Sequence, residues 1–103
     1  MYIVKDEADF DQILKENKSV FIDFYADWCG PCKMVGPVVE GLAEENTDVK
    51  FIKVNVDDNP EVAERYGVMS IPMLVAVKDG KTAATTLGFQ PRESIQNVIN
   101  AAK

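Results

Sequence analysis

Two hydrophobic periods alternate along the chain, and together they predict the elements in order. Residues 2–4 fit a short strand. Residues 6–17 place Phe10, Ile13 and Leu14 on one face at helical spacing, with Asp6 before them as a cap. Residues 19–26 form a strand pattern that is apolar from Val20 to Ala26 except at Asp23. A helix is predicted from near Pro31 to about Asn46, with a kink at Pro37, whose ring interrupts the hydrogen-bond ladder. Residues 49–56 form a second strong strand. Asp57-Asp58-Asn59-Pro60 reads as a turn into a helix, with Asn59 as N-cap and Pro60 at the first helical position. That helix should end at Gly67. Residues 73–78 and 82–87 flank Asp79-Gly80, a hairpin signal. A last helix is expected from about Pro91 to Ala102.

The resulting order is βαβαβαββα. Alternation in the first half calls for parallel crossovers, and the late hairpin for an antiparallel edge. Residues 20–26 and 51–56 read as buried on both faces. The expected fold class is therefore α/β: a central mixed five-stranded sheet flanked by four helices, forming one domain over residues 1–103. A chain of this length buries roughly two-thirds of its unfolded surface, enough for a core without staples.

Charge narrows the function classes. Eleven Lys+Arg against seventeen Asp+Glu leave a net charge of −6, and the only arginines are Arg65 and Arg92. Nucleic-acid binding calls for a basic face, which this composition does not supply. The start of the chain lacks a basic region followed by an apolar stretch, and the longest apolar run, Val20 to Ala26, is too short to cross a membrane. A cytoplasmic protein with no membrane or nucleic-acid partner is expected. Histidine is absent, so any chemistry must use Cys, Asp, Glu, Lys, Tyr or the backbone.

The only two cysteines lie in Trp28-Cys29-Gly30-Pro31-Cys32. As a structural staple they would do little, because closing so short a loop contributes about 2 kcal/mol against about 4.7 for a loop of about 100 residues. A structural zinc site normally takes four Cys or His ligands, so this chain could only share one with a second chain. Two inert buried thiols are a further alternative. A redox pair fits the position best: the pair follows a buried strand and opens a helix, where free N–H groups and the helix dipole stabilise a thiolate. Cys29 is expected at or just before the first turn, exposed and attacking. Cys32 is expected one turn inside, covered and resolving. Pro31 suits the first helical position, and Gly30 leaves the Cys29 sulfur open to a bulky substrate.

The stretch Phe24-Tyr25-Ala26-Asp27-Trp28-Cys29-Gly30-Pro31-Cys32-Lys33 resembles the active site of the thioredoxin family, for which Cys-x-x-Cys is an established mark. The resemblance extends over the whole chain in length and element order, and implies a thioredoxin fold. It gives Asp23, a carboxylate within an apolar strand, the role of the buried acid beneath the cysteines, exchanging a proton with Cys32 through water. From pattern alone a carboxylate inside a two-sided apolar strand should be desolvated, with an edge position open to water as the alternative. Lys53 matches the lysine beside that acid; without the resemblance it reads as a snorkelling surface lysine. Pro72, after Ile71, matches the family's cis-proline loop. Its fixed turn would leave the Ile71 backbone free to pair with an extended substrate. Trp28, Gly30, Pro31, Ile71, Pro72 and Gly88 are implied to form the apolar surface around Cys29.

Departures from the family pattern are also visible. Tyr25 stands where many members have tryptophan, and Met69 and Met73 flank the Ile-Pro loop, where core filling is their expected role. The activity implied is protein-disulfide reduction through a mixed disulfide on Cys29, with a disulfide donor or isomerase, or a non-catalytic binding subunit, as alternatives. A thioredoxin reductase drawing on NADPH is the implied source of electrons, and disulfide-containing proteins are the implied substrates. The chain has no dinucleotide fingerprint, so no cofactor or metal is expected on it, and a monomer is expected.

Overall fold

The computed structural model describes residues 1–103, in the order β1 (Tyr2–Ile3), α1 (Glu7–Glu16), β2 (Ser19–Tyr25), α2 (Gly30–Glu45), β3 (Lys50–Asn55), α3 (Pro60–Arg65), β4 (Met73–Lys78), β5 (Lys81–Leu87) and α4 (Arg92–Asn100). Every expected element is present. The strands form one sheet in the order β1-β3-β2-β4-β5. β1 and β2 each pair with β3 in parallel, while β2–β4 and β4–β5 are antiparallel. The β4–β5 turn has φ of 51° at Asp79 and 79° at Gly80, two left-handed residues in succession, as a two-residue hairpin loop requires.

Strand alternation divides the core in two. Val20, Ile22 and Phe24 of β2 face α1 and α3, where they meet Phe10, Ile13 and Val62. Phe21 points to the other face and packs with Val35, Val39 and Leu42 of α2 and Ile95 and Ile99 of α4. β2 is therefore covered on both sides, as its apolar run predicts, and so is β4 from Leu74 to Val77. α2 continues through Pro37 as a single helix.

Two local expectations need correction. Asn59 does occupy the N-cap position of α3, but its side chain caps nothing; Nδ2 donates instead to the Asn55 carbonyl at 3.3 Å. The turn is held from the other end, where Asn55 Oδ1 accepts from the Asp57 N–H at 2.9 Å. Met69 is not core filler: it is 97% exposed, while its loop neighbours Val68 and Ile71 are the side chains that pack against the core. Met73 does pack against the core.

Asp23 is the one charged side chain buried in the core, 1% exposed in the middle strand of the sheet, which rules out an edge position. Its Oδ1 has no hydrogen-bond partner. Burial pushes its pKa from the ordinary 3.8 to about 6, opposed by the positive charge of Lys53 and reinforced by the negative charge of Glu40. The folded state thus binds this proton more tightly than the unfolded chain does. The stability contributed by protonation is complete below 3.8 and is lost as pH rises through about 6. The loss amounts to about 3 kcal/mol. Asp23→Asn removes this titration. Urea unfolding of both proteins between about pH 3 and about pH 8 should show the variant gaining about 3 kcal/mol relative to the native chain as pH rises. A difference that does not change with pH would contradict the buried-acid assignment.

Candidate active site

The site begins where β2 stops. After Tyr25 the chain turns through Ala26, Asp27 and Trp28, closed by the Cys29 N–H donating to the Ala26 carbonyl at 3.2 Å. Cys29 is the N-cap of α2, and its Sγ accepts the Cys32 N–H at 3.2 Å. The sulfur thus does the work that a serine or aspartate oxygen usually does at a helix start. Gly30 and Pro31 occupy the first helical positions, where the missing proline N–H costs nothing. A Cβ built on Gly30 would meet no atom within 4 Å, so packing does not demand glycine there.

Cys29 and Cys32 form a disulfide, with Cα atoms 5.3 Å apart. The expected contrast in exposure is absent: Cys29 is 4% and Cys32 6% exposed. Ala26, Tyr25, Val56 and Ile71 pack around the bonded pair. What makes the two cysteines unequal is hydrogen bonding. A backbone donor and the positive end of α2 point at the Cys29 sulfur, so a thiolate released there is stabilised.

The wall facing the disulfide comes from a distant part of the chain. The Ile71–Pro72 bond is cis, as the resemblance implies, and the Ile71 carbonyl oxygen lies 3.8 Å from Cys29 Sγ. The Pro72 carbonyl accepts the Gly88 N–H at 2.8 Å, tying the end of β5 to this loop. Gly88 has φ of 75°, a left-handed conformation that favours glycine. Trp28, Met69 and Phe89 are large apolar side chains exposed on the segments that carry Cys29, Ile71 and Gly88. The largest cleft, about 540 Å³, lies elsewhere, lined by Met1, Tyr2, Glu40 and Phe51 among others. Sequence reasoning missed that Trp28 Nε1 donates to Asp57 Oδ2 at 2.9 Å, which ties the exposed indole to the loop after β3. Nothing in the local sequence pattern links residues so far apart.

Asp23 and Lys53 are direct register partners on β2 and β3. By alternation, Asp23 shares its face with Phe21, and Lys53 shares its face with Phe51, both packed toward α2. The carboxyl therefore lies on the α2 side of the sheet, toward the end of β2 that leads into the cysteines. Lys53 is half-buried, and its Nζ sits 4.4 Å from the centroid of the Tyr25 ring. Its stem lies in the sheet while its head finds an aromatic face, so the snorkelling reading and the neighbour reading each describe part of it.

Comparison with known proteins agrees with this geometry. The thioredoxin family model matches residues 1–101. The chain is 51% identical over 82 residues to a thioredoxin of Bacillus subtilis, covering 79% of each chain. It is 41% identical over 96 residues to a thioredoxin of Mycoplasmoides gallisepticum, covering 93% of this chain and 96% of that one. Among solved structures, Plasmodium falciparum thioredoxin superposes with a TM-score of 0.93 at 36% identity, covering all of both chains. The alternating core, the Cys29–Cys32 pair at a helix start, the facing cis-proline loop and these likenesses agree: the chain belongs to the thioredoxin family.

Proposed function

We propose that this thiol–disulfide oxidoreductase works as a protein-disulfide reductase in which Cys29 attacks and Cys32 resolves. The observation that carries the assignment is the Cys32 N–H aimed at Cys29 Sγ at 3.2 Å. In the reduced protein, the Cys29 thiolate attacks one sulfur of a substrate disulfide. A Cys29–substrate S–S bond forms, the substrate S–S bond breaks, and the first substrate thiolate leaves. Cys32 then gives up its proton, with the Asp23 carboxylate as the acceptor through water, and attacks the Cys29 sulfur. The second substrate thiolate leaves, and the Cys29–Cys32 disulfide remains.

The exposed apolar rim of Trp28, Met69 and Phe89, with the nearby Ile71 backbone, fits an extended protein segment better than a small molecule. Lys53 modulates Asp23. Restoring the dithiol requires two electrons. A thioredoxin reductase drawing on NADPH supplies them, and this chain holds no cofactor of its own. A reducing compartment such as the cytoplasm suits this direction of flow. No helix is long and apolar enough to cross a membrane.

With a protein-disulfide substrate such as insulin and dithiothreitol as reductant, the native chain should accelerate reduction and Cys29→Ser should not. Cys32→Ser should accumulate a covalent adduct, visible on a non-reducing gel, that dithiothreitol releases. An adduct formed by Cys29→Ser instead would reverse the roles. The reduction potential should lie far below the roughly −120 mV of a dedicated disulfide oxidant; a value near that level would turn the assignment from reductase to oxidant. Asp23→Asn should slow release of the mixed disulfide by about 10²-fold near neutral pH. In the native chain, that release should slow as pH falls through about 6, where Asp23 takes up its proton and ceases to be a base. Stopped-flow pH profiles that are the same for the two proteins would exclude Asp23 as the proton acceptor.

A further inference from the structure

Lys53 could pair with Asp23 and does not. The two are register partners on adjacent parallel strands and share the α2 side of the sheet, with strands about 4.8 Å apart. A lysine stem spans that gap easily. Yet the ion pairs of the molecule all lie elsewhere, joining Arg65 to Glu7 and Asp11, Arg92 to Glu45 and Lys103 to Asp48. Asp23 keeps a buried oxygen with no partner. The Lys53 ammonium instead lies over the Tyr25 ring, 4.4 Å from its centroid. Tyr25 is two residues beyond Asp23 on the same strand, and so on the same face, at the half-exposed end where an ammonium keeps part of its water.

We propose that Tyr25 is a positioning residue, whose ring holds the Lys53 ammonium off Asp23 and so sets the proton affinity of that carboxyl. The inference deepens the proposed function, since it rests on Asp23 as the proton acceptor for Cys32. The ring is a neutral phenol, because burial, and after it the nearby Asp27, raises its hydroxyl above the ordinary value of 10.0. The contact is therefore one of cation with aromatic face, and a phenyl ring supplies the same face. The other groups around Asp23 cannot replace this control. β4 offers Leu74, its register partner. α4 offers Ile95 and Ile99 to the same core. α2 offers Val35 and Val39 to that core and the exposed Glu40, whose negative charge acts in the opposite sense to Lys53. Lys53 is the one cation whose charge bears on Asp23, and Tyr25 is the group that holds it.

Removing the ring frees Lys53 to swing onto Asp23, and an opposite charge brought close favours the carboxylate. Asp23 titration is read from the side-chain carboxyl signal of oxidised protein carrying isotope-labelled aspartate, identified by its loss in Asp23→Asn. Tyr25→Leu and Tyr25→Met, two ring-free side chains of different shape, should each lower the midpoint by about one pH unit, a tenfold change in proton affinity. Tyr25→Phe should leave it in place. Adding Lys53→Met to either ring-free variant should abolish the drop. The inference is overturned if the ring-free variants titrate like the native chain, if Tyr25→Phe falls with them, or if the drop survives without Lys53. The signal reports Asp23 directly and needs no turnover, so failure of Asp23 as proton acceptor would appear separately, in the release kinetics.

Discussion

The site depends on one junction: a strand buried on both faces runs straight into a helix whose cap is a cysteine. β2 has to end at Tyr25 because its partner β3 ends opposite it at Asn55. α2 then has to start within a few residues, and its first N–H groups need an acceptor. Cys29 Sγ is that acceptor for the Cys32 N–H. A contact that would be ordinary capping with an oxygen becomes chemistry with sulfur, since whatever stabilises the helix start also stabilises a thiolate. The same turn brings both cysteines onto one helix end, close enough to be bonded. The Ile71–Pro72 loop closes the other side, and Trp28, Met69 and Phe89 are exposed on the segments that carry Cys29, Ile71 and Gly88.

Asp23 shows what this arrangement costs. A carboxyl in the middle strand, without a partner for one of its oxygens, destabilises the fold at neutral pH. An apolar residue there would pack with Phe21 and Leu74 at no such cost. The stability given up leaves a group whose proton moves near pH 6, within reach of physiological conditions, on a chain that has no histidine to do the same. The fold tolerates the acid because burial of the two apolar core layers on either side of β2 supplies stability that offsets it.

Much of this was legible in the chain's pattern. The apolar run from Val20 to Ala26 specified a central strand, and the single acidic interruption marked Asp23 as the residue to explain. Asp79-Gly80 specified the hairpin, and both residues have positive φ. Pattern reports which face a side chain occupies, but not which rotamer it adopts or which remote segment it meets. That is why the Asn59 side chain turned out to reach back to Asn55, why Trp28 proved to be tied to Asp57, and why Lys53 lies on Tyr25 and not on Asp23. Met69 was misplaced for a related reason: a methionine beside an apolar loop looks like core, and only the path of the loop shows that it faces water. The similar burial of Cys29 and Cys32 could not be read from spacing, because the remote Val56 and Ile71 help to cover the pair.

In the reduced protein the two cysteines are made unequal by the backbone donor at Cys29. The most direct measurement is competitive alkylation of the reduced protein at neutral pH with a limiting amount of iodoacetamide, followed by mass-spectrometric mapping of the modified cysteine. The account predicts that Cys29 is modified well ahead of Cys32, and that its advantage shrinks at alkaline pH as both thiols ionise. Equal modification of the two, or preferential modification of Cys32, would contradict it.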